Sequence, residues 1–435
     1  MVKTRKNLKF YLALVIFSLV GQVAWVVENM YLNVFIYKMF NASAQQISLM
    51  VAASAVAATV TTLLIGALSD KVGKRKIFIC AGYVAWGISI LGFAAIRTDL
   101  VQSIFYPMVS FSGAAVSLCI TLTIVLDCVM TFFGSSANDA AFNAWLTDAT
   151  DDSDRGAIEG INSMMPLVAI LVVFGGFMSL NQDLQSSWTV IFTVIGGVVL
   201  ALGVAGFFLI EESTARSEEN NNYFANIFYG FRPSVIRENA PLYATLVTLA
   251  LFNIAIQIFM PYLILYYQVS LGMEDYVMIF APAIIVAAVF TGIYGKVFDK
   301  KGFQFAILPT LGLLGAGFVG LYFFRGTFLV FISSLIMMCG YLGTGAMLGA
   351  QIRCVTPENK AGMFQGLRII GQVLIPGVIG PAIGAAILAN AEMVTNSDGT
   401  SSFIPNENIF LGALIALVVT FAALIPLFKL LKKER

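Results

Sequence analysis

The sequence contains no histidine and few charged residues. Of its 435 residues only 11% are charged and 59% are hydrophobic, whereas a soluble globular chain carries about 25% charged and 45–50% apolar residues. At this length such an apolar excess cannot be hidden in soluble cores, so we expect an integral membrane protein whose solvent is lipid. The missing histidine excludes histidine-based proton relays, histidine metal sites, and Ser-His or Cys-His catalysis.

Neither sign of charge is in excess, and cysteine is scarce. The chain has 25 Lys and Arg against 24 Asp and Glu, a formal charge of +1, so no basic surface for nucleic acid is expected. The five cysteines fall in or beside apolar stretches without CxxC spacing. We interpret them as small buried hydrophobes, and we expect neither a metal site nor a cofactor.

Long apolar runs divide the chain into twelve predicted membrane-spanning helices. A spanning helix needs about 20 mostly apolar residues. The longest polar stretch, from Glu211 to Asn239, separates the runs into two sets of six. This predicts an all-α fold with an N-terminal bundle over 1–210, a cytoplasmic linker over 211–240 and a C-terminal bundle over 241–435. In the linker, residues 224–237 are predicted as an interfacial helix or a plain tether. The predicted spans are roughly 10–37, 46–68, 77–97, 118–147, 158–180, 187–210, 241–267, 276–295, 304–324, 326–351, 367–390 and 409–429.

The basic residues predict the orientation of these spans. Cytoplasmic loops of membrane proteins are enriched in Lys and Arg. Placing both termini in the cytoplasm leaves only Lys38, Arg97 and Arg325 outside, so 22 of the 25 bases are cytoplasmic. The first span is too long, and lacks a small-residue cleavage site, to be a removable signal peptide. We expect a monomeric, multi-pass protein of the cell (plasma or inner) membrane.

Two cytoplasmic motifs occur once in each half. The pattern G-x-x-x-D-K-x-G begins at Gly66 and again at Gly295, 229 residues later. The pattern T-x5-G-x3-G begins at Thr150 and again at Thr356, 206 residues later. Two motifs in the same order on the same predicted side indicate an internal repeat. The first half holds 23 more residues between its motifs. We place them around 101–117, as a re-entrant, interfacial or helix-extending segment.

Residues 66–75 carry a family resemblance. They match G-x-L-[AS]-D-[RK]-x-G-[RK]-[RK] at every defined position, and the chain thereby resembles the major facilitator superfamily. The resemblance implies two six-helix bundles that rock about a central cavity. It also implies that the motif aspartates brace the outward-facing state. The gate residues expected from it are Gly66, Asp70, Lys71, Gly73, Arg75, Arg155, Asp299, Lys300 and Gly302.

Three carboxylates lie deep inside predicted spans, away from the span ends. A charged side chain within a span costs about 3 kcal/mol on insertion scales and usually faces a cavity. Glu28 in span 1 and Asp127 and Asp139 in span 4 are therefore candidates for coupling to a cation, either H⁺ or Na⁺. Asp139 lies 12 residues beyond Asp127, so one compact site cannot easily contain all three. For Asp139, gating or local hydrogen bonding is an equal alternative to cation coupling. For Glu28 and Asp127, the alternative is a structural role as an ion-pair or capping partner.

Amides and aromatic rings on the cavity helices could hold a solute. The resembled fold lines its cavity with helices 1, 4, 7 and 10. Amides with aromatic faces suit a neutral hydroxylated solute such as a sugar, although ordinary helix packing is an alternative at each position. The candidates are Trp25, Asn29, Asn33, Asn253, Gln257, Tyr262 and Tyr341.

The preferred function is cation-coupled transport of a small polar solute. The stretch from Asn138 to Arg155 is similar to that of glycoside–pentoside–hexuronide cation symporters. Span 2, however, has Thr61 and Thr62 where those proteins place a first aspartate. The alternatives are a proton-driven exporter of amphipathic compounds, drugs or lipids, and a non-transporting membrane sensor. An intramembrane aspartyl protease is disfavoured because no G-x-G-D element is present, so we expect no enzymatic activity.

Overall fold

Twelve long apolar helices dominate the computed structural model, which describes residues 8–106, 112–150, 155–212, 229–357, 361–396 and 400–433. Within those residues, twelve helices are long and apolar enough to cross a membrane, and the predicted number of spans is confirmed. Lipid tails offer no hydrogen-bond partners, and a helix pairs its backbone N–H and C=O groups internally. In chain order, spans 1 to 12 are Leu8–Phe40, Ala44–Val72, Arg75–Phe93, Ser112–Ala149, Arg155–Phe177, Gln185–Leu209, Ala240–Ser270, Val277–Lys301, Phe303–Phe323, Thr327–Val355, Ala361–Asn390 and Asn408–Lys433.

Four of the spans contain a π-helical turn, in which hydrogen bonds skip one extra residue. These turns are Val27–Tyr31 in span 1, Ser135–Phe142 in span 4, Tyr266–Ser270 in span 7 and Ile370–Leu374 in span 11. A π turn shifts the faces of a helix and is frequent at functional sites. Two of the four turns carry predicted site acids, Glu28 and Asp139. Span 7 also contains the short 3₁₀ segment Met260–Tyr262, and span 11 ends in the 3₁₀ segment Leu388–Asn390.

Short elements join the spans. The helix Thr98–Ile104 packs on span 4, which begins at Ser112 and thus six residues earlier than predicted. The extra residues predicted around 101–117 are therefore divided between a separate short helix and an extension of span 4, with 107–111 outside the described residues. Of the linker, the structure describes the 3₁₀ turn Tyr229–Phe231 and the helix Pro233–Glu238. The rest of the predicted segment 224–237 lies outside the description. Between spans 11 and 12, Met393–Thr395 pairs antiparallel with Ser401–Phe403.

The chain forms two compact units. Unit 1 comprises Met1–Ala42 and Val56–Asn220, and unit 2 comprises Ser43–Ala55 and Asn221–Arg435. In each unit, glycines allow two helix backbones to lie side by side, as small residues do in membrane proteins. In unit 1 a Cβ added at Gly87 of span 3 would stand 2.4 Å from the Leu200 nitrogen of span 6. In unit 2 a Cβ at Gly340 of span 10 would stand 2.2 Å from the Leu314 nitrogen of span 9.

Candidate functional site

Two acids and a threonine meet in the interior of unit 1. Glu28, in the π turn of span 1, is only 6% exposed, and Asp127 of span 4 is 2% exposed. The Thr131 hydroxyl donates a 2.8 Å hydrogen bond to Glu28 Oε1. Asp127 lies four residues before Thr131 on the same face of span 4, and its carboxyl group is within electrostatic range of Glu28. The structure thus places Glu28 and Asp127 in one buried cluster.

One carboxylate oxygen of Asp127 lacks a hydrogen bond within the described part of the chain. Asp127 Oδ1 is buried and accepts no hydrogen bond from any described residue. Burying a carboxylate in apolar surroundings is costly unless it is paired. Span 4 contains no Lys or Arg, and the two lysines of span 1 lie at its ends. Those lysines contact other acids: Lys9 pairs with Glu211 at 3.6 Å and Lys38 with Asp183 at 2.6 Å.

Asp139 lies apart from this cluster, among aromatic and hydroxyl groups. Ser135 donates a 3.0 Å hydrogen bond to Asp139 Oδ2, and the indole of Trp25 lies close to the same carboxyl group. The Trp25 N–H nevertheless forms no hydrogen bond of normal geometry with a described residue. The Trp25 ring contacts Trp86 of span 3 with centroids 5.0 Å apart. Asp139 is therefore grouped with Trp25, a predicted solute residue, and separated from the two other acids.

The neighbouring Asn138 ties three spans together. Its Nδ2 donates to the Tyr83 hydroxyl at 2.7 Å, and that hydroxyl donates to the Phe17 carbonyl at 2.9 Å. Gly21 makes room for this contact, since a Cβ there would stand 2.3 Å from Asn138 Nδ2. The π turn of span 4 thus directs Asn138 into a network with spans 1 and 3, and the next residue, Asp139, toward Trp25.

The other predicted solute residues of span 1 are largely self-satisfied. The side chain of Asn29 is exposed and donates to the Trp25 carbonyl at 2.8 Å. Asn33 is buried and donates to the Asn29 carbonyl at 2.8 Å. Asn33 Oδ1 has no partner among the described residues. These amides therefore mainly bond their own helix, with one acceptor left over.

The predicted solute residues of unit 2 lie on spans 7 and 10. Asn253 is partly buried, and its Nδ2 has no described partner. Gln257, one turn further along span 7, packs so closely on span 11 that a Cβ at Gly380 would stand 2.4 Å from its Cβ. The Tyr341 ring of span 10 stacks on Phe252 at 6.3 Å.

Tyr262, the fourth predicted solute residue of unit 2, is fully buried and bonds backbone. It is 0% exposed, and its hydroxyl lies 3.0 Å from the Ala44 carbonyl and 3.3 Å from the Pro381 carbonyl. Its hydroxyl therefore binds backbone within unit 2 and is not available to a solute in this structure.

The predicted gate motif connects spans 2, 3 and 4 through an ion pair and a hydrogen bond. Arg75 is 5% exposed and pairs with Asp148 at 3.1 Å, while its Nη1 donates to the Ser69 hydroxyl at 2.6 Å. Gly73 has φ +67°, a left-handed conformation that favours glycine at this turn. The sequence reasoning did not assign Asp148 as the partner of Arg75, because the two are 73 residues apart.

The remaining gate residues are less constrained. Gly302 has φ +79°, so the turn recurs in the second half of the chain. Gly66 lies within span 2, and Lys71, Asp299 and Lys300 are exposed. The side chains of Asp70 and Arg155 lie outside the described part of the chain.

Three further contacts of the site were missed by the sequence reasoning. The contact of Thr131 could have been predicted from spacing, since Thr131 stands one helical turn after Asp127. Ser135 also stands one turn before Asp139. No sequence pattern indicates the contact of Trp86 with Trp25, because it depends on how spans 1 and 3 pack.

A comparison of the sequence with known families decides the family. The sequence profile of the Major Facilitator Superfamily matches residues 11–381. The chain belongs to this superfamily. No curated protein matches it by sequence.

Solved structures of other Major Facilitator Superfamily proteins share the fold. A bacterial homologue of the human lysosomal transporter Spinster, inward-facing and occupied, superposes with a TM-score of 0.71 at 16% identity, covering 99% of both chains. A D-xylose–proton symporter gives 0.71 at 13% identity, covering 95% of this chain and 97% of its own. The nucleoside transporter NupG gives 0.66 at 15% identity, covering 98% and 100%. At these identities the likeness shows the fold alone.

Proposed function

We propose that this superfamily member is a secondary active transporter of the cell membrane. It moves a small polar, sugar-like solute by alternating access and couples that movement to H⁺ or Na⁺. The observation that carries the proposal is the buried pair of acids, Glu28 and Asp127, in which Asp127 Oδ1 accepts no hydrogen bond from a described residue.

The coupling role follows from charge. Two carboxylates at short range in an apolar bundle repel each other and are poorly solvated. No basic side chain of spans 1 and 4 is placed to neutralise them, since span 4 has none and Lys9 and Lys38 pair at the ends of span 1. A proton or Na⁺ taken up from one side of the membrane relieves this repulsion. An ion that changes the charge of a bundle in this way can bias its conformational equilibrium, which is what coupling requires.

The solute class follows from the neutral polar groups. Spans 7 and 10 contain no carboxylate, Lys or Arg except Arg353 in the last turn of span 10. Their available groups are the Asn253 amide, the Gln257 amide and the Tyr341 ring, which suit hydroxyl groups and a sugar face. Two of the structural neighbours are a D-xylose–proton symporter and a nucleoside transporter, so D-xylose and uridine are suitable first probes.

Gradient-driven uptake tests the proposal. Protein reconstituted in liposomes is given labelled D-xylose or uridine under an imposed proton gradient or an imposed Na⁺ gradient. We expect accumulation under one of the two gradients, and we expect Glu28→Gln and Asp127→Asn to reduce it to the equilibrium level. Exchange of labelled for unlabelled solute should persist in both variants, because exchange needs no net ion movement.

An acid outside the pair provides the control. Asp183 is an exposed partner of Lys38, so Asp183→Asn should leave accumulation unchanged. Equal accumulation by wild type, Glu28→Gln and Asp127→Asn would refute the coupling role.

A further inference from the structure

A glycine brings two indole rings onto span 4 just before its π turn. A Cβ added at Gly134 would stand 2.7 Å from Cε2 of Trp86 and 3.0 Å from Cη2 of Trp25. Only a residue without a side chain lets both rings lie against the helix at this point. The Trp25 indole also lies close to the carboxyl group of Asp139, five residues further on.

This arrangement leaves hydrogen-bonding capacity unused. The indole N–H groups of Trp25 and Trp86 are both buried and have no partner among the described residues. Trp86 is 0% exposed, whereas Trp25 and Asp139 are each partly exposed. Ser135 occupies Asp139 Oδ2. The Trp25 N–H thus lies beside the Asp139 carboxyl group without a hydrogen bond of normal geometry to it, and each belongs to a residue with some exposed surface.

The chemistry of this pair selects among ligands. An ammonium group only donates hydrogen bonds, so it would leave the Trp25 N–H unsatisfied. A carboxylate or phosphate only accepts, and it would be repelled by Asp139. A hydroxyl group does both: it can accept from the Trp25 N–H and donate to the Asp139 carboxylate. The face of the indole can pack against the C–H face of a sugar ring.

We infer that Trp25 and Asp139 bind a hydroxyl group of the transported solute, as a donor and an acceptor on either side of it. Asp139 then acts in solute recognition, while Glu28 and Asp127 retain the coupling ion. Ser135 is a positioning residue, because it holds one oxygen of Asp139. This inference rests on the proposed function and assigns to the solute one of the three acids first considered for the cation.

Equilibrium binding tests the inference separately from coupling. Binding of D-xylose and uridine to the purified protein is measured by isothermal titration calorimetry, alongside ethylammonium as a probe that only donates. We expect Asp139→Asn to raise the Kd of the hydroxylated probes about 10- to 100-fold and Trp25→Phe to raise it about 3- to 10-fold. Ser135→Ala should have a smaller effect than Asp139→Asn. Asp183→Asn, at an exposed acid outside both groups, should bind with a Kd close to that of wild type, whereas Glu28→Gln should fail to accumulate solute.

A second tryptophan is the matched control. Trp188 Nε1 donates to the Gln182 carbonyl at 2.7 Å in another part of unit 1, so Trp188→Phe removes an indole N–H without touching the proposed site. Its Kd should equal that of wild type. Unchanged affinity in Trp25→Phe and Asp139→Asn, tighter binding of ethylammonium than of D-xylose and uridine, or no binding of either hydroxylated probe would overturn the inference. If Glu28→Gln accumulates solute normally while Asp139→Asn loses affinity, the coupling role fails and the recognition role stands.

Discussion

Two adjacent glycines of span 6, Gly196 and Gly197, allow the effect of close helix packing on stability to be measured. Replacing each by alanine makes the same chemical change, but only Gly196 lies against another helix. A Cβ at Gly196 would stand 2.8 Å from Leu91 Cγ and 2.9 Å from both the Gly87 carbonyl oxygen and the Leu91 nitrogen. A Cβ at Gly197 would have no atom within 4 Å. Gly196 faces span 3, and Gly197 faces away from it.

The expected magnitude follows from this difference. Alanine gains about 1 kcal/mol in helix propensity over glycine at either position. At Gly196 it also overpacks an interface in which two of the three contacts are backbone atoms, which costs about 1–3 kcal/mol. Since the propensity gain cancels between the variants, Gly196→Ala should be about 1–3 kcal/mol less stable than Gly197→Ala.

Thiol labelling during thermal unfolding measures the difference. Cys80, Cys119 and Cys339 are buried, so a fluorogenic thiol dye reports their exposure, while the exposed Cys354 contributes a constant background. We expect the Tm of Gly196→Ala to fall below wild type and that of Gly197→Ala to equal or exceed it. Equal Tm values for the two variants would show that spans 3 and 6 do not approach as closely as the structure has them.

Two further substitutions test the ion pair between Arg75 and Asp148 and the hydrogen bond of Tyr262. Asp148→Asn should destabilise the protein by about 1–3 kcal/mol, because it removes a charged partner of the buried Arg75. A double-mutant cycle with Arg75→Gln should give a coupling energy clearly above zero, and a value within error of zero would contradict the ion pair. Tyr262→Phe should lower stability by about 0.5–1.5 kcal/mol through loss of the hydrogen bond to Ala44. It should leave the Kd of the solute unchanged, since the hydroxyl bonds backbone carbonyls, and a rise of about threefold or more would place the hydroxyl on the solute.

The fold was predictable because its signals extend along the whole sequence. Twelve apolar runs and a repeated cytoplasmic motif each depend on many residues, so small errors at individual positions do not change the result. The ends of helices were less predictable. Span 4 begins at Ser112 and not near residue 118, because the short helix Thr98–Ile104 packs on it and supports an additional turn and a half.

The site was predictable in its residue types and in the separation of Asp139 from the other two acids, but not in its contacts. A carboxylate within an apolar run is conspicuous in any sequence, so Glu28, Asp127 and Asp139 were all found. The 12-residue spacing along span 4 separates Asp139 from Asp127, whereas the contacts within each group depend on the π turns at Val27–Tyr31 and Ser135–Phe142. A π turn changes the phase of a helix by one residue, and neither apolar periodicity nor residue type announces it.

The internal repeat and the acid pair lead to one conclusion about how the halves differ. The 229-residue offset aligns Glu28 with Gln257, but the π turn of span 7 begins at Tyr266, ten residues after the position that the offset assigns to Val27. Gln257 therefore lies in regular α-helix and packs on Gly380, whereas Glu28 lies in a widened turn and reaches Thr131. Because an acid is expensive within the membrane, it persists only where the local backbone gives it partners. The duplicated fold thus supplies the scaffold twice but the geometry for an acid pair only in unit 1.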